Sequence, residues 1–404
     1  MLEAISRIVN EKQLLFFPFL LVFIEVVTYL STDMYLPALP SIAEYFTVSH
    51  AMAQYTQTLW FVGSMSMQLF LGPLCELYGR KEILLIGIIT FFVSSLICGL
   101  TSSITFFLIA RFFQGTTVCC VIVAGYALIH ELYSGKRAVQ ILAIMSSITI
   151  LAPALGPLLG AIIINFSAWQ NIFIILAFLS VIGLFGISCT LPVSNKDSAK
   201  KINLWQEVST YKAIVCNRTF ISIASVNSLL IINFFMWIVE SPFIIIGKYN
   251  LSEFYFAILQ LVVFGGYILG AQLARKLIIS FSTNKILTLG FSIISISLLL
   301  FLMASLTDSS TLWVVLAMAG VALGSSSMSG VFNRLAISSS TEPMSHRVAI
   351  YTLMVSLAAS VGSYIVTLDS EQSFTHLGYM MAACFILAIS IFMSIRKQIV
   401  KSEL

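Results

Sequence analysis

Residues 16–36 read F-F-P-F-L-L-V-F-I-E-V-V-T-Y-L-S-T-D-M-Y-L, an apolar run of membrane-spanning length that carries two acids, Glu25 and Asp33. A helix needs about 20 apolar residues to cross a bilayer, and a carboxylate at bilayer depth costs about 2.5 to 3.5 kcal/mol on insertion scales. Acids retained in such a helix face a wet interior and mark an ion or substrate path. At about 100° per residue, positions 25, 29 and 33 form one slowly drifting stripe. Glu25, Tyr29 and Asp33 are therefore expected to look into the same space. No small-residue cleavage site follows the run, so it is read as a retained helix and not as a secretory signal.

The rest of the chain repeats the pattern. Over 404 residues, 59% are hydrophobic and only 9% are charged, with a mean hydropathy of +1.01. No water-soluble domain of this length has such a composition. Long apolar runs predict twelve helices, at 14–36, 51–74, 83–101, 104–130, 138–164, 170–191, 217–247, 252–275, 285–306, 311–336, 347–368 and 374–395. These runs exclude a transmembrane β-barrel, whose strands are short and alternate polar with apolar residues. The expected fold class is an all-α integral membrane protein with six helices in 1–191, a polar connection over 192–216 and six more in 217–404. Within that connection, 204–212 reads equally as an amphipathic surface helix or as plain linker.

Lys and Arg alternate by loop. Of the 21 basic residues, all but Lys248 and Arg111 fall on one side of the predicted spans, from Arg7 and Lys12 through Arg80, Lys81, Lys136 and Arg137 to Lys196, Lys200 and Lys201 and on to the C-terminus. The positive-inside rule then places both termini and the central connection in the cytoplasm. The net charge of +4 is thus a topology signal and calls for no nucleic-acid partner. The seven Cys lie in or beside apolar segments without metal-site spacing and read as small hydrophobes in helix packing. The four His are scattered, so no metal site is expected, and no G-x-x-x-x-G-K loop points to ATP as an energy source. No cofactor is implied. With no sizeable soluble domain to transmit a signal, a receptor is the weaker reading, and an enzyme weaker still.

Four stretches carry chemistry. G-P-L-C-E-L-Y-G-R-K at 72–81 combines Gly72 and Gly79, which permit tight turning, with Glu76 and Arg80, which can form a charge latch or a solvated turn. R-F-F-Q-G at 111–115 buries a guanidinium that needs compensation. Arg111 could reach Asp33 or Glu25 directly, or through Gln114 and water, with Gly115 beside it. Such a pair could switch a proton or simply hold the structure together. A-P-A-L-G-P-L-L-G-A at 152–161 places Pro153, Gly156, Pro157 and Gly160 in one helix, where small residues permit close packing and prolines permit bending. W-I-V-E-S-P at 237–242 adds Glu240, either a third membrane acid near a break at Pro242 or a solvated rim acid near Lys248.

Together with G-Y-A-L-I-H-E at 125–131 and L-Q-L-V-V-F-G at 259–265, these stretches resemble the MdfA-type multidrug/proton antiporters. These belong to the drug:proton antiporter group of the major facilitator superfamily, which also contains the Bcr/CflA transporters. The resemblance implies two six-helix bundles around a central cavity and a bacterial inner-membrane location. It also implies export of lipophilic cationic or neutral compounds in exchange for protons. By that resemblance Glu25 and Asp33 match the acids implicated in proton and substrate recognition, Arg111 the motif arginine and Glu131 an acid near the cytoplasmic mouth. Glu240 departs from it, since the pattern has Gln there. Tyr29, Thr32, Gln57, Asn233 and Trp237 are the further candidates for the substrate wall, although aromatics on apolar helices more often pack than bind. A transporter dedicated to one metabolite or siderophore is the alternative on the same scaffold. The expected partners are a small-molecule substrate, protons and lipid, and one twelve-helix chain suffices, so a monomer is expected.

Overall fold

The structure is a computed structural model that describes residues 11–133, 135–191, 204–307, 310–369 and 371–402. Arg7, Lys196, Lys200 and Lys201 of the basic pattern, and the connection at 192–203, lie outside the described residues. Among the described residues there are helices and no strands. Eleven helical stretches of the described residues are long and apolar enough to cross a membrane, and a bent pair, His50–Ser66 and Leu71–Tyr78 at 57°, makes a twelfth if counted as one span.

We label the helices α1 (Glu11–Asp33), α2 (Leu39–Tyr45), α3 (His50–Ser66), α4 (Leu71–Tyr78), α5 (Arg80–Leu100), α6 (Ile104–Cys120), α7 (Tyr126–Leu132), α8 (Gly135–Thr149), α9 (Leu151–Phe166) and α10 (Gln170–Thr190). There follow α11 (Leu204–Cys216), α12 (Arg218–Pro242), α13 (Glu253–Ser280), α14 (Thr283–Leu306), α15 (Thr311–Ser338), α16 (Met344–Val366) and α17 (Phe374–Ser402). Large apolar side chains such as Phe19, Phe166, Phe185 and Ile279 stay exposed on the helices, as a surface bathed in lipid chains requires.

Two expected helices differ in shape. The run 51–74 breaks at 67–70, because Pro73 has no N–H for the Leu69 carbonyl and its ring crowds that turn. The chain crosses the break on tight bonds, Gln68 N–H to Met65 at 3.2 Å and Phe70 N–H to Met67 at 3.1 Å, before α4 begins. The expected break at Pro242 is absent. There α12 runs on into a π-helix over Phe243–Lys248, a wider turn of the kind that interrupts α-helices without breaking them.

The chain divides into two compact units, residues 1–48 with 59–202, and residues 49–58 with 203–404. The first half of α3 and all of α11 therefore belong with the second unit. His346 Nε2 bonds Glu207 Oε2 at 2.6 Å, and its ring lies 4.8 Å from that of Tyr211, which ties α11 to α16. In the first unit α5 packs on α6 and α10, and α1 packs on α9 and α10. Phe17, Leu21, Leu84, Ile88, Val121 and Ile187 fill the core. In the second unit α15 packs against α13 and α14, and α12 against α16 and α17. A Cβ at Gly266 or Gly270 would overlap the Ala319 or Leu323 carbonyl of α15, so these glycines set that close approach. Cys75, Cys98, Cys119 and Cys120 are buried, whereas Cys189 and Cys216 are exposed.

Candidate functional site

The first unit gathers its polar groups where α1 ends. A helix leaves its last carbonyls without intrahelical donors, and that end carries partial negative charge. Arg111, fully buried on α6, donates from Nη1 to the Ser31 carbonyl at 2.9 Å and to Gln114 Oε1. Its guanidinium lies 4.2 Å from the centre of the Tyr35 ring, a favourable cation–π distance. Gln114 in turn donates from Nε2 to Ser95 Oγ of α5 at 2.8 Å. The expected bridge through Gln114 thus leads to α5 and away from the helix 1 acids.

Asp33, two residues beyond Ser31, is buried, and its Oδ2 has no hydrogen-bond partner. The charge of Arg111 acts on it electrostatically. Gly156 presses on it from α9, where a Cβ would stand 2.7 Å from the Asp33 Cβ, and a Cβ at Gly160 would overlap the Met34 carbonyl. The Gly-Pro helix is thus seated directly on the acid. Pro153 falls in the first turn of α9, where its missing donor costs nothing, and Pro157 lies buried inside the helix.

Glu25 is served by different helices. It accepts a 2.8 Å bond at Oε1 from the Tyr126 hydroxyl of α7, its Oε2 has no partner, and Thr149 at the end of α8 also approaches it. Eight residues of α1, about 12 Å of rise, separate the two acids, and each has its own polar surroundings. Tyr29 lies between them, half-buried and in electrostatic reach of Tyr126. Thr32 is buried beside Asp33.

Around this centre the hydroxyls of α1 turn inward on their own helix. Thr28 donates to the Glu25 carbonyl at 2.8 Å and Ser31 to the Thr28 carbonyl at 2.6 Å. The Trp60 indole N–H then reaches Ser31 Oγ at 3.2 Å. Gly115 lets this happen, since a Cβ there would overlap the Trp60 carbonyl, and Gly63 meets the Phe112 carbonyl in the same way.

The 72–81 motif separates into distinct duties. Gly72 lies in the first turn of α4 with open space where a Cβ would go, so the expected tight turning falls to Gly79 alone. Gly79 ends α4 at φ 99°, in the region that favours glycine. Glu76 is exposed, and Arg80 pairs with Glu131 at the end of α7. Lys81 is buried and donates to the Ser188 carbonyl at 3.2 Å and to the Leu191 carbonyl, closing the C-terminus of α10.

The candidates of the second unit, with Gln57 among them, are all fully buried. Both amide atoms of Asn233 have no partner. Trp237 donates to Gln260 Oε1 at 3.0 Å and stacks on Phe374 at 5.8 Å, so its ring is taken up in packing. Glu240 is no solvated rim acid, for Gln54 donates to its Oε2 at 2.6 Å. Sequence reasoning missed Ser31, Tyr35, Ser95, Tyr126 and Thr149. Only Tyr126, an aromatic hydroxyl on an apolar helix fifteen residues after Arg111, gave a signal.

Eleven or twelve candidate spans among the described residues, with buried, partly unpartnered acids and a buried arginine in their midst, define a polytopic helical membrane protein. A family model described as Major Facilitator Superfamily matches residues 21–363, and the chain belongs to that superfamily. Membership makes it a membrane transporter and not an enzyme. It is 31% identical over 314 residues to the multidrug transporter MdfA of Escherichia coli O6:H1, covering 78% of this chain and 77% of that one. It is 31% identical over 264 residues to the multidrug resistance protein MdtM of Escherichia coli K12, covering 65% of this chain and 64% of that one. Solved structures share the fold. A bacterial homologue of the human lysosomal transporter Spinster matches at a TM-score of 0.74 and 14% identity, over 95% of this chain and 98% of that one. A D-xylose-proton symporter matches at 0.73 and 16%, over 93% of this chain and 96% of that one.

Proposed function

We propose that this chain is a proton-coupled antiporter of a bacterial inner membrane that exports lipophilic cationic or neutral compounds by alternating access. The observation that carries the reading is Asp33, buried with one oxygen unpartnered, beside a guanidinium fixed on the Ser31 carbonyl and beneath a glycine that leaves no slack. A carboxyl so placed gains or loses a proton as its surroundings shift, because a nearby base favours the ionised form and desolvation the neutral one. Asp33 carries the proton and Arg111 sets when it leaves. Glu25 meets the charge of the cargo, while Tyr29, Thr32, Gln57 and Asn233 offer polar contacts. The Arg80–Glu131 pair holds the motif loop as a latch, and both termini face the cytoplasm. The names of the curated relatives support a varied drug cargo.

Protein in liposomes with an acid lumen tests the reading. Tetraphenylphosphonium and an uncharged aromatic amide should accumulate inside as protons leave, and collapsing the gradient should stop them. Full exchange in a double Glu25→Gln, Asp33→Asn variant would overturn it. Movement of one metabolite class alone in a broad screen would favour a dedicated transporter.

A further inference from the structure

Glu240 belongs to none of the machinery described so far. It lies at the end of α12 with no exposed surface. Gln54 Nε2 donates to one oxygen at 2.6 Å, and the other, Oε1, has no partner. Asp369 stands in electrostatic reach, and it too has a buried oxygen without a partner, Oδ2. Two buried acceptors lacking donors are expensive unless each takes up a proton or a polar partner.

The surroundings lead outward. Asp369 Oδ1 bonds His376 Nδ1 at 3.2 Å, and His376 Nε2 lies 3.2 Å from Glu371 Oε2. Side-chain exposure rises along this row, from 8% at Asp369 through 40% at His376 to 67% at Glu371. Lys248, at the end of the π-helix that follows α12, is engaged away from Glu240, for its amine donates to the carbonyls of Glu371 at 3.4 Å and Gln372 at 3.3 Å, in the loop before α17. His50, one turn before Gln54, pairs with Gln372 at 2.9 Å and lies 4.9 Å from the Phe243 ring. The groups around Glu240 are thus Gln54 and His50 from α3, Asp369 and Glu371 from the loop, His376 from α17 and Lys248.

We infer that Glu240 is a second proton-carrying carboxyl, filled and emptied from solvent through Glu371, His376 and Asp369. His376 accepts a proton at Nε2 from the exposed end and gives one up from Nδ1 to Asp369, which passes it to Glu240. The imidazole ends neutral, and the net change is one proton moved from solvent to a carboxylate, which becomes a carboxylic acid. An imidazole between two carboxylates suits such a shuttle because its two nitrogens can exchange roles. The inference deepens the proton-coupled reading above and rests on it only for its use in transport.

Infrared difference spectra of the full chain in lipid nanodiscs, recorded across a pH titration, test it. The native protein should show a carboxylic-acid carbonyl band that disappears in Glu240→Gln, with about one proton fewer taken up per molecule. The band should persist in the Glu25→Gln, Asp33→Asn protein. His376→Phe should slow its appearance after a pH jump at least tenfold while leaving its amplitude. Should Glu240→Gln fail to fold, Gln54→Leu must shift the frequency or midpoint of the same band. An unchanged spectrum in Glu240→Gln, or in Gln54→Leu, overturns the inference. Cargo movement indifferent to a proton gradient would refute the transport reading while leaving this band in place, so the two failures are distinguishable.

Discussion

Arg111 on α6 donates to the main-chain carbonyl of Ser31 at 2.9 Å, so the end of a helix is the direct counterpart of this buried cation. The bonds to Ser31 and Gln114 fix the guanidinium where its charge acts on Asp33. A carboxylate clamped by a direct two-pronged pair would release and regain a proton with difficulty. One sensing a charge anchored nearby responds to small changes in separation.

Arg111→Lys should therefore fail although it keeps the charge. Lysine offers a point charge and cannot serve the Ser31 carbonyl, Gln114 and the Tyr35 face together. Gradient-driven exchange is expected to fall at least tenfold. Arg111→Met should also unfold earlier, since it orphans two buried acceptors at about 1 to 3 kcal/mol each. Thermal unfolding in detergent beside liposome exchange separates the two effects, and native exchange in Arg111→Lys would refute the anchoring argument.

The glycines divide by what a methyl group would meet. Gly160→Ala drives a Cβ into the Met34 carbonyl, Gly156→Ala crowds Asp33, and Gly247→Ala meets open space. Overpacking costs about 1 to 3 kcal/mol, so the first two should be destabilised and Gly247→Ala should be neutral. Gly156→Ala should also lose exchange beyond what its stability explains, because the displaced atom belongs to the acid. Equal behaviour of all three would show that the α1–α9 contact is looser than the geometry requires.

Much of this fold was legible in the sequence because membrane insertion is written locally, in run length and charge. The spans, the two helix 1 acids and the close-packing glycines of α9 could all be read there, whereas the tight seat of Gly115 against the Trp60 carbonyl could not. What escaped depends on contacts across the chain. Tyr126 meets Glu25 from 101 residues away, and Ser31 meets Arg111 from 80. Nothing in an isolated serine marks its carbonyl as an acceptor. Glu25 and Asp33 do not share one set of surroundings as their spacing suggested, because neighbouring helices give Glu25 Tyr126 and Thr149, and Asp33 the charge of Arg111 and the close backbone of Gly156.

The two basic residues of the 72–81 motif should differ in weight. Arg80 and Glu131 form a half-exposed pair, and such pairs contribute about 0 to 1 kcal/mol. Lys81 is buried on two carbonyls. Arg80→Ala should barely move the unfolding midpoint, whereas Lys81→Met should lower it clearly. If the Arg80 pair acts as a latch, Arg80→Ala will instead change the exchange rate, and the double variant Arg80→Glu, Glu131→Arg will restore it. Failure of the swap would leave the pair as surface chemistry only.

Tyr126→Phe isolates the role of Glu25. It removes the 2.8 Å donor to Oε1 while keeping the ring, and a hydrogen bond to a charged group is worth about 1.5 to 3 kcal/mol. If Glu25 meets the charge of the cargo, the loss will fall on cationic compounds, because the carboxylate is no longer held toward them. The apparent KM for tetraphenylphosphonium should rise at least fivefold, with the uncharged amide changing less than twofold. A structural bond alone would affect both cargoes equally and show only in the unfolding midpoint. A parallel rise for both would therefore move Glu25 from cargo recognition to the support of α1.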